Sequence, residues 1–190
     1  MEDKHVIALV GMAGSGKGTC TTYLHEHYGW PVVHFGNMMY EEVQRRGLDN
    51  VKDEKFVRED MRAKEGKAVL AKHVARKTDE HFAQGTKVVV LDGLYSWSEL
   101  KYLSEKYGQA LTAIAVATPR KVRYQRILAR QDSHRKYANA EDIMKNRDIP
   151  EIENLEKGGP IAFANYTLLN NSTPEALIAQ LNIVLKEINA

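Results

Sequence analysis

The sequence predicts an α/β fold, a parallel sheet of five strands with helices on both faces. Short apolar runs recur along the chain, and longer stretches of helical composition separate them. That alternation builds parallel sheets. The runs show little polar alternation, as strands covered on both faces do. The first run also leads through a glycine-rich turn directly into a helix, the local order of a phosphate-binding loop.

In chain order, Val6–Val10 reads as the first buried strand. Helix one spans Lys17 to Tyr28, with Gly29 as its stop. Pro31–Phe35 is a short second strand, Gly36-Asn37 a turn, and Met38–Arg46 a helix stopped by Gly47. Asp53–Gly66 and Lys67–Gln84 are charged helical stretches. Lys87–Leu91 is the third strand, followed at once by Asp92-Gly93. A helix from about Ser96 to Tyr107 precedes the fourth strand, Ala110–Ala117. Pro119 suits the first turn of a helix ending near Arg130. Residues 131–159 are polar and poorly patterned, with a helical part around 140–157. Tyr166–Leu169 is the fifth strand, and Thr173-Pro174 opens the last helix as N-cap and first position. Two regions interrupt the alternation, the helical pair from about Met38 to Gln84 and the polar stretch 131–159. Both leave from carboxyl ends of strands, where such sheets bind ligands, so both can close over one.

The glycine-rich turn is Gly11-Met-Ala-Gly-Ser-Gly-Lys-Gly-Thr19. Glycines at 11, 14 and 16 allow successive N–H groups to face one anion. Ala13, Ser15, Gly18 and Thr19 complete the predicted cradle, and the helix beginning near Lys17 adds the positive end of its dipole. Lys17 reaches the outer phosphates as a point charge. Gly18 stands where a magnesium-binding hydroxyl is usual, and Thr19 follows it, so Mg²⁺ would rest mainly on phosphates and water.

At 190 residues the chain is large enough for one domain with a real core. A formal charge of +2 gives no case for nucleic acid or membrane partners, and no stretch reaches the length of a membrane span. The start carries only a short apolar run that ends in the loop, so a cytoplasmic protein is expected. Cys20 is the one cysteine, which rules out an intrachain disulfide and reads as a buried structural thiol. Asp92, ending a buried strand, is a candidate for magnesium or its water. An Asp there is commonly only a turn residue; the loop at 11–19 raises its interest. Arg123, Arg126 and Arg130 are spaced to share one helix face, and the polar region beyond holds Arg135 and Arg147. Converging arginines are what phosphoryl transfer needs to balance charge without water.

Several segments carry a family resemblance: the loop itself, F-G-N-M-M at 35–39, L-D-G-L at 91–94, Q-R-I-L-A-R at 125–130, N-R-D at 146–148 and A-N-Y-T-L-L-N-N at 164–171. From Val6 to the last helix the chain resembles P-loop nucleoside monophosphate kinases. It is closer still to small kinase-like proteins related to adenylate kinase and dephospho-CoA kinase. The resemblance implies strand order 2-3-1-4-5 and a single domain. The core would be 1–36, 86–130 and 160–190, with an acceptor-binding insertion at about 37–85 and a lid at about 131–159. It implies Mg²⁺ and ATP, transfer of the γ-phosphoryl to a small nucleotide or nucleotide-like acceptor, and a monomer or homodimer. Arg126 and Arg130 would border the lid and meet the ATP, and Arg147 would reach the transferred phosphoryl.

The acceptor side departs from the adenylate kinase pattern. Asn37 replaces an expected Asp, Tyr40 an expected Arg, and Tyr95 or Ser96 a second Arg. Tyrosine donates a hydrogen bond but brings no charge. Arg58 and Arg62, four apart on a charged helix, are the candidate substitutes. Two alternatives follow: a hydroxyl-phosphorylating enzyme like dephospho-CoA kinase, and a nucleotide-binding switch or slow ATPase without a small-molecule acceptor.

Overall fold

A computed structural model of the chain describes residues 4–49, 52–130 and 136–190. Five parallel strands form one sheet: β1 His5–Val10, β2 Val32–His34, β3 Val88–Asp92, β4 Leu111–Ala117 and β5 Tyr166–Leu169, in the order β2-β3-β1-β4-β5. The predicted fold class and strand order are both observed.

Alternate residues of the central strands feed two cores, as the period of a strand requires. Val6, Ala8 and Val10 of β1 join Val89, Leu91, Ala113 and Ala115 on one face. Helices α2 (Phe35–Arg45), α3 (Glu54–Glu65), α4 (Val69–Ala83) and α5 (Trp97–Tyr107) pack on that side. Ile7 and Leu9 join Val90, Ile114 and Val116 on the other face, under α1 (Lys17–Tyr28) and α10 (Pro174–Glu187). Cys20 lies in this second core, fully buried, where desolvation pushes its thiol up to about 12. A smaller cluster of Ala13, Tyr124, Ile127 and Ile143 joins the glycine-rich loop to α6 (Arg120–Ala129) and α7 (Ala140–Ile143).

One expectation about local structure is corrected. Gly36 and Asn37 are not a turn: α2 starts at Phe35, directly from β2. Phe35, Met38, Met39 and Val43 are buried along one face of that helix, and this packing overrides the poor helix propensity of Gly and Asn. The helical part around 140–157 is observed over 140–153, with a change of pitch inside it. It runs as α7, a wide turn of π type at Met144–Asp148, α8 (Ile149–Glu153) and, after a break, α9 (Gly158–Ala162). Elsewhere α1 ends at Gly29 in the left-handed region, and α5 begins with a reciprocal capping box between Ser96 and Glu99. Among the described residues no helix is long and apolar enough to cross a membrane.

Candidate functional site: a phosphate loop beside an arginine-lined cavity

The glycine-rich loop joins the carboxyl end of β1 to the first turn of α1, and its carbonyls are gripped from outside. Arg123 donates to Ala13 O at 3.0 Å. Thr118 Oγ1 at 2.9 Å and Asn170 Nδ2 at 2.8 Å both donate to Ser15 O. Lys17 Nζ donates to Gly11 O at 2.7 Å and Met12 O at 3.3 Å. A loop whose carbonyls are held this way is free to aim N–H groups at an anion. Gly14 and Gly16 make the geometry possible, with φ of 75° and 102°. A Cβ at Gly14 would sit 2.7 Å from Arg123 O, and one at Gly16 only 2.0 Å from Asn170 Nδ2. Gly16 caps α1 without a side-chain bond, leaving the helix N-terminus open to a ligand.

Lys17 retains some solvent contact as a residue, but its ammonium is enclosed. Burial, reinforced by the neighbouring charge of Lys157, lowers its pKa to about 7. An ammonium so placed gains most from an arriving anion. Asp92 ends β3 level with Leu9 of β1, two residues before the loop. Its cross-strand neighbour is His34 of β2, whose Nδ1 lies 3.2 Å from Asp92 Oδ2. That hydrogen bond raises the His34 pKa against the opposing effect of partial burial.

Beside the loop lies a cavity of about 710 Å³. Phe35, Gly36 and Met39 of α2 contribute to it, as do Arg58 and Arg62 of α3, Tyr95 and Glu99 near the start of α5, and Arg147 and Glu151 from the π turn and α8. Glu99 is buried, and its carboxylate accepts from the N–H groups of Tyr95 at 3.0 Å and Ser96 at 2.9 Å, which fixes the backbone carrying Tyr95.

A family model for the AAA domain matches residues 10–144. The UPF0200 protein of Sulfurisphaera tokodaii is 32% identical over 185 residues, 96% of this chain and 97% of the relative. The chain belongs to the UPF0200 family of AAA-domain proteins. Among solved structures, TT1252 from Thermus thermophilus is 22% identical with a TM-score of 0.66, covering 97% of each chain. Shikimate kinase from Aquifex aeolicus is 19% identical with a TM-score of 0.57, covering 96% of each chain. The fold is that of the P-loop kinases.

In this UPF0200 chain the cavity gathers Tyr40, Arg58, Arg62, Tyr95, Arg130 and Arg147. Asn37 is exposed and is not among its lining residues. Gly18 and Thr19 are exposed at the start of α1, and Ser15 is buried beneath the loop. The three arginines of one helix face do not act alike. Arg123 turns inward and forms a buried ion pair with Asp148 at 2.7 Å. Arg126 donates to Asn170 Oδ1 at 3.3 Å, while Arg130 caps the end of α6 in extended conformation and reaches the cavity. Arg135 lies outside the described residues.

Four side chains at the site escape a reading of the sequence alone: Thr118, Glu151, Lys157 and Asn170. Thr118 follows a strand and Asn170 lies within the 164–171 segment, so position offers a signal for both. Glu151 and Lys157 sit in the polar, poorly patterned stretch 131–159 with nothing in the sequence to single them out, yet both are buried and joined at 2.6 Å.

Proposed function

We propose that the chain is an ATP-dependent phosphotransferase that moves the γ-phosphoryl of Mg-ATP to a small nucleotide or nucleotide-like acceptor. The observation that carries this reading is the juxtaposition of the clamped loop with the arginine-lined cavity. One provides a donor site, and the other a second chamber whose Arg147 and Glu151 act on the charge of Lys17. The residues present fit a polyphosphate. Arg126 Nη1 and Arg147 Nε are buried without a hydrogen-bond partner among the described residues. Guanidinium groups left so are suited to receive phosphate oxygens.

In this reading the loop N–H groups and Lys17 hold the outer phosphates. Arg126, Arg130 and Arg147 offset the charge of the transferring group, which a loose in-line transition state spreads over its oxygens. Segment 136–159 acts as a lid that excludes water, and α2 to α4 form the acceptor-binding insertion. Asp92 and Thr19 are the residues that would hold Mg²⁺, directly or through water, and the ion would supply further neutralisation of the phosphates. Tyr40 and Tyr95 donate hydrogen bonds to the acceptor, with Arg58 and Arg62 supplying the charge that they lack.

One observation favours a second reading, phosphorylation of a hydroxyl. Asp92 with His34 forms a carboxylate–imidazole pair at the carboxyl ends of two strands, and such a pair can take a proton from an attacking hydroxyl.

The test is ADP release from Mg-ATP across AMP, CMP, dCMP, UMP, GMP, dephospho-CoA and no acceptor. Strong stimulation by one monophosphate, lost in Lys17→Ala, is the expected result. Stimulation by dephospho-CoA alone selects the hydroxyl reading. Slow release indifferent to every acceptor sinks both and leaves a nucleotide switch.

A further inference from the structure

The turn between α8 and α9 buries a cation that the donor and acceptor residues above do not include. Lys157 is 3% exposed. Its Nζ donates to Glu151 Oε2 at 2.6 Å and lies 4.5 Å from the centroid of the Tyr95 ring. The backbone holds it there from both sides. Its own N–H donates to Glu151 O at 3.2 Å. The preceding residue, Glu156, takes a φ of 57°, in the left-handed region. The Glu156 carboxylate pairs with Lys67 at 2.6 Å and accepts from Ser98 Oγ at 3.2 Å. A residue with a Cβ stays in that conformation only where its surroundings over-determine it. The inward aim of Lys157 is therefore built into the turn.

Charge on this wall does not balance. Lys157, Arg147 and Lys17 all act on the one carboxylate of Glu151. Burial raises the Glu151 pKa, but together these cations hold it below its ordinary value. Arg147 Nε comes within 3.4 Å of Glu151 Oε1 yet makes no hydrogen bond. Asp148 is engaged by Arg123, and Asp92 is bonded to His34. An ion pair kept for stability alone would match one charge with one and is often no better than an apolar pair. Three cations around a single carboxylate can take a further anion in its place. Glu151, Arg147 and Tyr95 all face the cavity.

We propose that Arg147, Lys157 and Tyr95 form a subsite for a phosphate group carried by the acceptor, and that the Glu151 carboxylate is an internal stand-in that fills it until the acceptor arrives. The subsite adds its positive charge to that of Arg58 and Arg62 beside Tyr40 and Tyr95, so the acceptor class is a phosphate-bearing molecule rather than a neutral alcohol. That the anion belongs to the acceptor rests on the phosphotransferase reading; the existence of the subsite does not.

Inorganic phosphate is the probe, titrated calorimetrically into chains carrying Lys17→Ala, which disables the loop. Adding Glu151→Gln removes the internal competitor and is expected to tighten phosphate binding by at least about tenfold, since a ligand's affinity is reduced by the fraction of sites already filled. Adding both Glu151→Gln and Lys157→Met is expected to abolish binding. No tightening in the first, or retained binding in the second, overturns the subsite. If Glu151→Gln leaves buried cations unpaired and the chain does not fold, the parent and the variant carrying both Glu151→Gln and Lys157→Met decide: equal phosphate affinity, or none in either, overturns it. CMP or AMP is expected to displace the phosphate. Displacement only by a non-hydrolysable Mg-ATP analogue overturns the assignment to the acceptor. Mg-ADP binding by the chain with Lys17 intact is measured alongside. Its failure sinks the nucleotide reading and leaves the phosphate result standing.

Discussion

Lys17 donates to the carbonyls of Gly11 and Met12 while burial and the charge of Lys157 lower its pKa to about 7. The unfolded chain holds that proton up to its ordinary 10.5. Between the two values the unfolded state binds more protons, so this group's contribution makes stability rise with pH across that window. Well below the folded value both states are protonated, and the full cost of burying the charge stands. Lys17→Met is therefore expected to stabilise the ligand-free protein most below about pH 7, with a gain that shrinks toward about pH 10. Urea titrations across that range check it. A gain independent of pH would show that the two carbonyl bonds, not the buried charge, set the balance. The loop was legible at this scale because its chemistry is local: four glycines, a lysine and a helix start within nine residues. Lys157 was not legible, because only the backbone at Glu156 and the ring of Tyr95, 62 positions before it, turn a surface residue type inward.

Among the elements, α6 does more than flank the sheet. Arg123 links the carbonyl of Ala13 to Asp148 in the π turn, and the Tyr124 hydroxyl donates to the same carboxylate at 3.0 Å. Loop, helix and π turn thus share one buried charge pair. Asp148→Ala leaves the guanidinium of Arg123 buried without its carboxylate, and is expected to cost about 3–5 kcal/mol. Denaturant midpoints measure it, and a loss near that of an exposed pair, about 0–1 kcal/mol, would show that Ala13 O and water suffice. Strand and helix positions were largely readable, because apolar runs and stop signals such as Gly29 are properties of short segments. The start of α2 was not. Gly36 and Asn37 carry turn chemistry, and what overrules it is the burial of Phe35 and Met39 against distant parts of the chain. The π turn at Met144–Asp148 was hidden for the same reason, since Asp148 is held by Arg123 and Tyr124 of α6.

Over the whole molecule, the segment carrying α8 and α9 meets other elements through Glu156, which bridges Lys67 ahead of α4 and Ser98 in α5. A ligand spanning loop and cavity ties these elements to the sheet. Saturating the protein with a non-hydrolysable Mg-ATP analogue at about 100 times its Kd is expected to add about 2.7 kcal/mol of stability. For a chain of this size that is a Tm rise of roughly 5–10 °C, read by scanning calorimetry and absent in Lys17→Ala. An equal rise in that variant would place nucleotide binding elsewhere. The fold also carries its own optical reporters. The sequence has two tryptophans. Trp30 stacks on Tyr28 at 4.5 Å beyond the end of α1. Trp97 lies against Gly159, where an added Cβ would come within 2.9 Å of its own Cβ, and meets Phe163 edge-on at 5.2 Å. Movement of the turn that holds Lys157 must change the surroundings of one indole and not the other. For the proposed lid closure, the intrinsic emission of the unlabelled protein would therefore contain both a signal and a reference against which to read it.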